Sequence, residues 1–222
     1  MFHINQPKFA SIFRLMFAAV FIVALVASSV APALAQPLEA KKSSRLAYHD
    51  LWRKLWEDHI TWTRIVIMGI LDDLPGTNVY VDRLIQNYVD MEDALAPYYG
   101  EDAEVLGDLI LDHLVIAAAI LQAAHDGQPL GDLVASWYDN AHDIAVQMNA
   151  MNPQFWPLEE TEQMWVEHLD ATLLEATSHL SGDFATEVAA YDTVHDLALE
   201  MADFFSNGVM KQFPSRFTGS LH

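Results

Sequence analysis

Three acid–histidine pairs, Asp58-His59, Asp112-His113 and Glu167-His168, recur along this 222-residue chain at separations of 54 and then 55 residues. That period is the size of a helical hairpin, a unit that buries a shared core only when packed against its neighbours. Between the pairs apolar residues return at three- and four-residue spacing, and no stretch alternates as a set of strands would. The pattern predicts an all-α, up-down bundle of about six helices built from three helical-hairpin repeats. The helices are expected over 46–72, 79–96, 101–125, 130–151, 158–180 and 184–210, parted by turn-forming residues. Pro97-Tyr98-Tyr99-Gly100 should close the first hairpin, and Pro157 suits a first helical position.

The first 35 residues read as a signal peptide: Lys8 and Arg14 in an acid-free start, an apolar run from Leu15 to Val26, then Pro32-Ala33-Leu34-Ala35. Cleavage after Ala35 would leave a linker over 36–45, a bundle over 46–217 and a tail over 218–222. The expected location is periplasmic or secreted, with no membrane insertion once the signal is removed. There is no Cys, which excludes disulfides and thiolate chemistry, so an exported chain must rely on its apolar core.

Charge narrows the partners. Without Lys8 and Arg14 the mature chain carries 9 basic against 31 acidic residues, and 84–210 holds no Lys or Arg at all. Such a surface repels nucleic acid and anionic lipid and attracts cations.

Inside each predicted hairpin, residues equally far from the turn lie at one height. His59 and Asn87, His113 and Asn140, and His168 and His195 are such pairs, with midpoints at Asp73, Asp126/Gly127 and Ser181/Gly182. Each member is about 20 Å of helix from its turn, so the six should form one layer across the middle of the bundle. Their helical neighbours are apolar, which turns them inward. Buried polar groups must be satisfied, either by a metal ion on facing imidazoles or by a closed hydrogen-bonded network with trapped water.

His59, His113, His168 and His195 are therefore the candidate metal ligands, for iron, manganese, zinc or copper. Asp90, Asp143 and Asp192 lie three residues from Asn87, Asn140 and His195 on the same faces, and could supplement the imidazoles. Glu175 shares the face of His168 but is too far along it to reach the same ion easily. Asp58, Asp112 and Glu167 point roughly 100° away from their own histidines. They could orient a histidine on a neighbouring helix by hydrogen bonding, or simply be solvated. No H-E-x-x-H, G-x-S-x-G, phosphate loop or dinucleotide fingerprint is present, and no reaction is assigned.

Trp56-x-x-His59-x-x-Trp62-Thr63-Arg64, with Tyr98-Tyr99-Gly100, Asn152-Pro153 and Lys211-Gln212-Phe213-Pro214, resembles a family of small uncharacterised bacterial helical-bundle proteins. The resemblance covers most of the mature chain and implies a helical bundle. Ferritin-like and hemerythrin-like proteins are similar in architecture only, because their paired Glu-x-x-His and His-x-x-x-Glu motifs are absent here.

Two functions follow from the residues. One is an exported bundle that binds a transition metal, or another small ligand, through its histidine layer. The other is a non-catalytic envelope protein whose His/Asn layer is a core network. In that case the function would reside in the acidic surface or in an apolar pocket lined by Trp56, Trp62 and Trp165.

Overall fold

The computed structural model describes residues 44–219. The expected signal peptide and its cleavage site, most of the linker and residues 220–222 lie outside them. Within them the chain forms six α-helices: α1 (Ser44–Leu71), α2 (Thr77–Tyr99), α3 (Glu101–His125), α4 (Gly131–Met151), α5 (Leu158–Ser181) and α6 (Phe184–Gln212). A short 3-10 turn, Pro214–Arg216, follows. The described residues contain no strand, and none of the helices is long and apolar enough to cross a membrane.

Each helix packs on the next in sequence, and α6 returns against α1. The two ends of the ring are tied at Ser44, whose hydroxyl accepts from the Thr218 N–H at 2.6 Å. The core runs along α1 through Tyr48, Trp52, Leu55, Trp56 and Ile60, and is met by Met148, Trp165, Leu169, Val194 and Phe205. This is the helical stripe that the apolar spacing requires.

Three of the turns share one geometry. Asp73, Gly127 and Gly182 all have positive φ (53°, 65° and 76°). The residue after each returns a hydrogen bond into the helix end: Leu74 N–H to Gly69 O, Gln128 N–H to Ala123 O, and Asp183 N–H to Ser178 O. These are Schellman closures, in which a left-handed residue satisfies carbonyls that the ending helix leaves open. The three left-handed residues carry the same 54- and 55-residue spacing as His59, His113 and His168.

Two details differ from expectation. Pro97 does not end α2, which continues to Tyr99. A proline in the last turn removes one backbone donor, and the carbonyl it deprives belongs to Asp93, an exposed residue. Pro157 stands just before α5 rather than as its first residue, with φ −64° and ψ 139°.

One contact is tighter than the rest. The Trp156 indole donates to Phe204 O at 3.2 Å and lies directly on the backbone of Gly208. A Cβ there would stand 2.0 Å from Trp156 Nε1, so the position admits only glycine without displacing the ring.

Candidate functional site

The layer forms, with one member missing. His59 on α1, His113 on α3 and His168 on α5 are all buried, as are Asn87 on α2 and Asn140 on α4. His195 is not: its side chain is 39 % exposed and faces Glu57 at 3.6 Å. Its height along α6 is as expected, but the inward position one residue earlier is taken by buried Val194. One residue along a helix is a rotation of about 100°, enough to turn the imidazole outward.

The two asparagines hold equivalent posts. Asn87 Nδ2 donates to Leu55 O at 2.9 Å, and Asn140 Nδ2 donates to Leu109 O at 3.0 Å. Each carbonyl belongs to the residue one helical turn before the histidine of the same hairpin. Asn140 also meets His113, with Oδ1 3.0 Å from Nδ1, and the His113 carbonyl accepts from Trp137 Nε1 at 3.2 Å. The first hairpin is left incomplete. Asn87 lies close enough to His59 to oppose the downward shift of its pKa, yet neither Asn87 Oδ1 nor His59 Nδ1 completes a hydrogen bond.

Tryptophans wall the layer. Trp56 presents its ring edge-on to His59 and His168, at centroid distances of 5.4 and 5.8 Å. Trp165 does the same to His113 at 5.4 Å. The His59 and His168 rings themselves stand 5.9 Å apart. Burial drives all three imidazoles toward the neutral form: His59 is lowered to about 4, His113 to about 3 and His168 well below its ordinary value. Mutual repulsion among their protonated forms adds to the effect at His113 and His168.

Five buried polar atoms here have no hydrogen-bond partner: Trp56 Nε1, His59 Nδ1, Thr63 Oγ1, Asn87 Oδ1 and His168 Nδ1. Thr63 is one helical turn beyond His59 on the same face of α1. A single orphaned buried donor or acceptor costs about 1–3 kcal/mol. Five such atoms gather around the His59–His168 pair.

The expected carboxylates stay away. Asp192 and Asp143 are exposed, and Asp90 is engaged by Gln86 Nε2 at the surface, at 3.0 Å. Asp58 binds Lys54 and Arg83 rather than a histidine. Glu167 accepts from Gln163 at 2.8 Å, and Asp112 is exposed. Asp112, Asp139 and Asp143 line a surface hollow of about 310 Å3 between α3 and α4, with Asn140 in its wall. Acids placed beside or three residues from an inward side chain end on the flanks of these helices, where water solvates them. Among the described residues no three His, Asp or Glu side chains are grouped to hold an ion. The four-histidine centre expected from the sequence therefore reduces to a close pair, His59 and His168, with His113 packed against Trp165. The proposed tryptophan pocket does not form either, because Trp62 packs apart from Trp56 and Trp165, against Tyr80 and under Arg83.

A second polar cluster went unseen in the sequence. Arg64 reaches from α1 to two buried carboxylates, Glu175 Oε1 on α5 at 2.8 Å and Glu187 Oε1 on α6 at 2.6 Å. Its guanidinium also lies 4.5 Å over the Tyr191 ring. His179 extends the chain from Glu187 to Asp72, both at 3.1 Å. One cation cannot neutralise two buried acids. Burial, opposed by Arg64 and aided by Glu187, raises Glu175 to about 7. The available signal was Arg64 itself, a lone cation amid the apolar residues Ile60, Val66 and Ile67.

Fold and site together define an all-α bundle with a buried, neutral histidine pair at its centre. No family model, curated protein or solved structure matches the chain.

Proposed function

We propose that this protein is an exported helical bundle that binds a transition metal ion in its core, with His59 and His168 as ligands. The observation that carries the proposal is the set of five unpartnered buried atoms at Trp56, His59, Thr63, Asn87 and His168. Buried polar groups without partners point to an occupant, an ion or ordered water. Two of the five are neutral imidazole nitrogens, the form that binds metals. The acidic exterior favours the reading by concentrating cations around the bundle. Export rests on the composition of the first 35 residues, and kinship with the small helical-bundle family rests on the Trp56-to-Arg64 motif.

One observation favours the second reading, a core network that fixes helix register. His113 is already satisfied by Asn140, which in turn is anchored on Leu109 O. A water molecule between His59 and Asn87 would complete the same arrangement in the first hairpin.

Elemental analysis of untagged protein from its native compartment separates the two. The metal reading expects close to one transition-metal ion per chain, lost on His168→Ala and kept on His195→Ala. Metal content far below one per chain in the wild type contradicts it.

A further inference from the structure

We infer that the occupant is a soft monovalent ion, Cu(I), held between His59 and His168; this rests on the metal-binding reading above and narrows it. The argument is one of charge and coordination number. Every unpartnered atom around the pair is uncharged: two imidazole nitrogens, an amide oxygen, a hydroxyl and the Trp56 indole N–H, which can only donate and takes no part in ligation. The carboxylates that would balance a divalent ion are at the surface or engaged elsewhere. Asp58 is held by Arg83 at 3.0 Å, Glu175 by Arg64 at 2.8 Å, and Asp143 and Asp192 face water.

The cost of burying an unbalanced charge grows as the square of that charge, and even one unit costs several kcal/mol in a real protein interior. A divalent ion in a neutral site therefore suffers about four times the penalty of a monovalent one. Zinc further asks for four ligands in a tetrahedron, with carboxylate or thiolate among the usual donors. Here no group of three His, Asp or Glu is available among the described residues. A filled-shell monovalent ion is satisfied by two imidazoles in line.

The spacing agrees. Two imidazoles sharing an ion at bond lengths of about 2 Å have ring centres about 5–6.5 Å apart, the longer values belonging to near-linear coordination. The observed separation is 5.9 Å. Trp56, edge-on to both rings at 5.4 and 5.8 Å, and Trp165 at 6.2 Å from His168 wall the pair with apolar rings. The lack of an anionic donor among the unpartnered atoms favours the reduced, singly charged state of copper over Cu(II), which prefers tetragonal nitrogen and oxygen donors.

The test is an anaerobic titration of untagged full-length mature protein with Ag+ and with Cu(I) under a competing chelator, run beside Zn2+ and Mn2+. Stoichiometry is read by native mass spectrometry, and the site by 15N imidazole shifts. The expected result is one Ag+ or Cu(I) per chain, with the Nδ1 resonances of His59 and His168 shifted and that of His195 unmoved. Zn2+ should bind at least about 100-fold more weakly. His59→Phe and His168→Phe should each abolish the monovalent site; if either variant fails to fold, the wild-type 15N shifts decide. Zn2+ binding as tightly to the same two nitrogens overturns the monovalent assignment and leaves the metal reading standing. No shift at His59 or His168 with any of the four ions overturns both.

Discussion

Asn140 accepts at Oδ1 from His113 Nδ1 across 3.0 Å and at the same time caps Leu109 O, a relay that Asn87 only half reproduces with His59. The two hairpins thus bind their asparagines to the same backbone position yet differ in whether the imidazole is satisfied. The unsatisfied one is the one facing His168.

The difference should be measurable in stability. Asn140→Ala removes two hydrogen bonds and strands His113 Nδ1, for an expected loss of about 2–4 kcal/mol. Asn87→Ala removes one, and its partner nitrogen is already unpaired in the unfilled site, so the expected loss is about 1 kcal/mol. Urea unfolding of the two variants checks the order; equal losses would contradict it.

Acid should loosen the bundle. In the unfolded chain the imidazoles take up protons near their ordinary 6.5, whereas folded His59 and His113 do so only at about 4 and about 3. The unfolded state therefore gains protons first. The stability due to these groups is complete above about pH 6.5 and is lost progressively as pH falls toward the folded values. At about 1.4 kcal/mol per unit of gap per group, several kcal/mol go between pH 6.5 and 4.5. A melting temperature flat from about pH 7.5 to 5.5 would contradict the burial of the layer.

Glu175 acts in the opposite direction. Its folded pKa, about 7, lies above the ordinary 4.5. Its stabilisation is complete below pH 4.5 and lost as pH rises through 7. Glu175→Gln keeps an acceptor for Arg64 without the charge. The variant should gain on the wild type between pH 5 and pH 8, by up to about 2–3 kcal/mol. Arg64→Met, which leaves Glu175 and Glu187 without their cation, should cost about 3–5 kcal/mol at pH 8 and less at pH 5. Thermal melts at the two pH values check both signs, and a Glu175→Gln effect independent of pH would contradict the assignment.

Gly208→Ala should be among the most damaging single-methyl additions in the chain, because Trp156 occupies the space where the Cβ would go. Overpacking of this kind costs about 1–3 kcal/mol or more. Gly131→Ala, with open space around its Cβ, should be neutral or slightly stabilising, since alanine favours the helix by up to about 1 kcal/mol. Comparison of the two by chemical denaturation tests the contact.

Much of this was legible in the sequence, and the limits have a physical cause. Distance along a helix is countable, so the turns at Asp73, Gly127 and Gly182 and the height of the layer followed from spacing alone. Rotation about the axis is less forgiving. His195 was placed at the right height but faces outward, because α6 turns Val194 to the core instead. Pro97 looked like a stop, yet α2 carries it in an exposed last turn. The Arg64 cluster joins residues 111 and 123 positions apart, and no local pattern announces a pairing made only when α1, α5 and α6 pack. The carboxylates near the histidines in sequence looked like ligands, but adjacency in a helix turns them to different sides.

The most direct test of the central claim is a high-resolution crystal structure of untagged protein from its native compartment, recorded across the absorption edges of copper and zinc. The account expects an anomalous peak between His59 Nδ1 and His168 Nδ1, about 2 Å from each, with signal at the copper edge. Ordered water at about 2.7–3.2 Å from those nitrogens, with no anomalous signal, would contradict it and make the layer a hydrogen-bonded core.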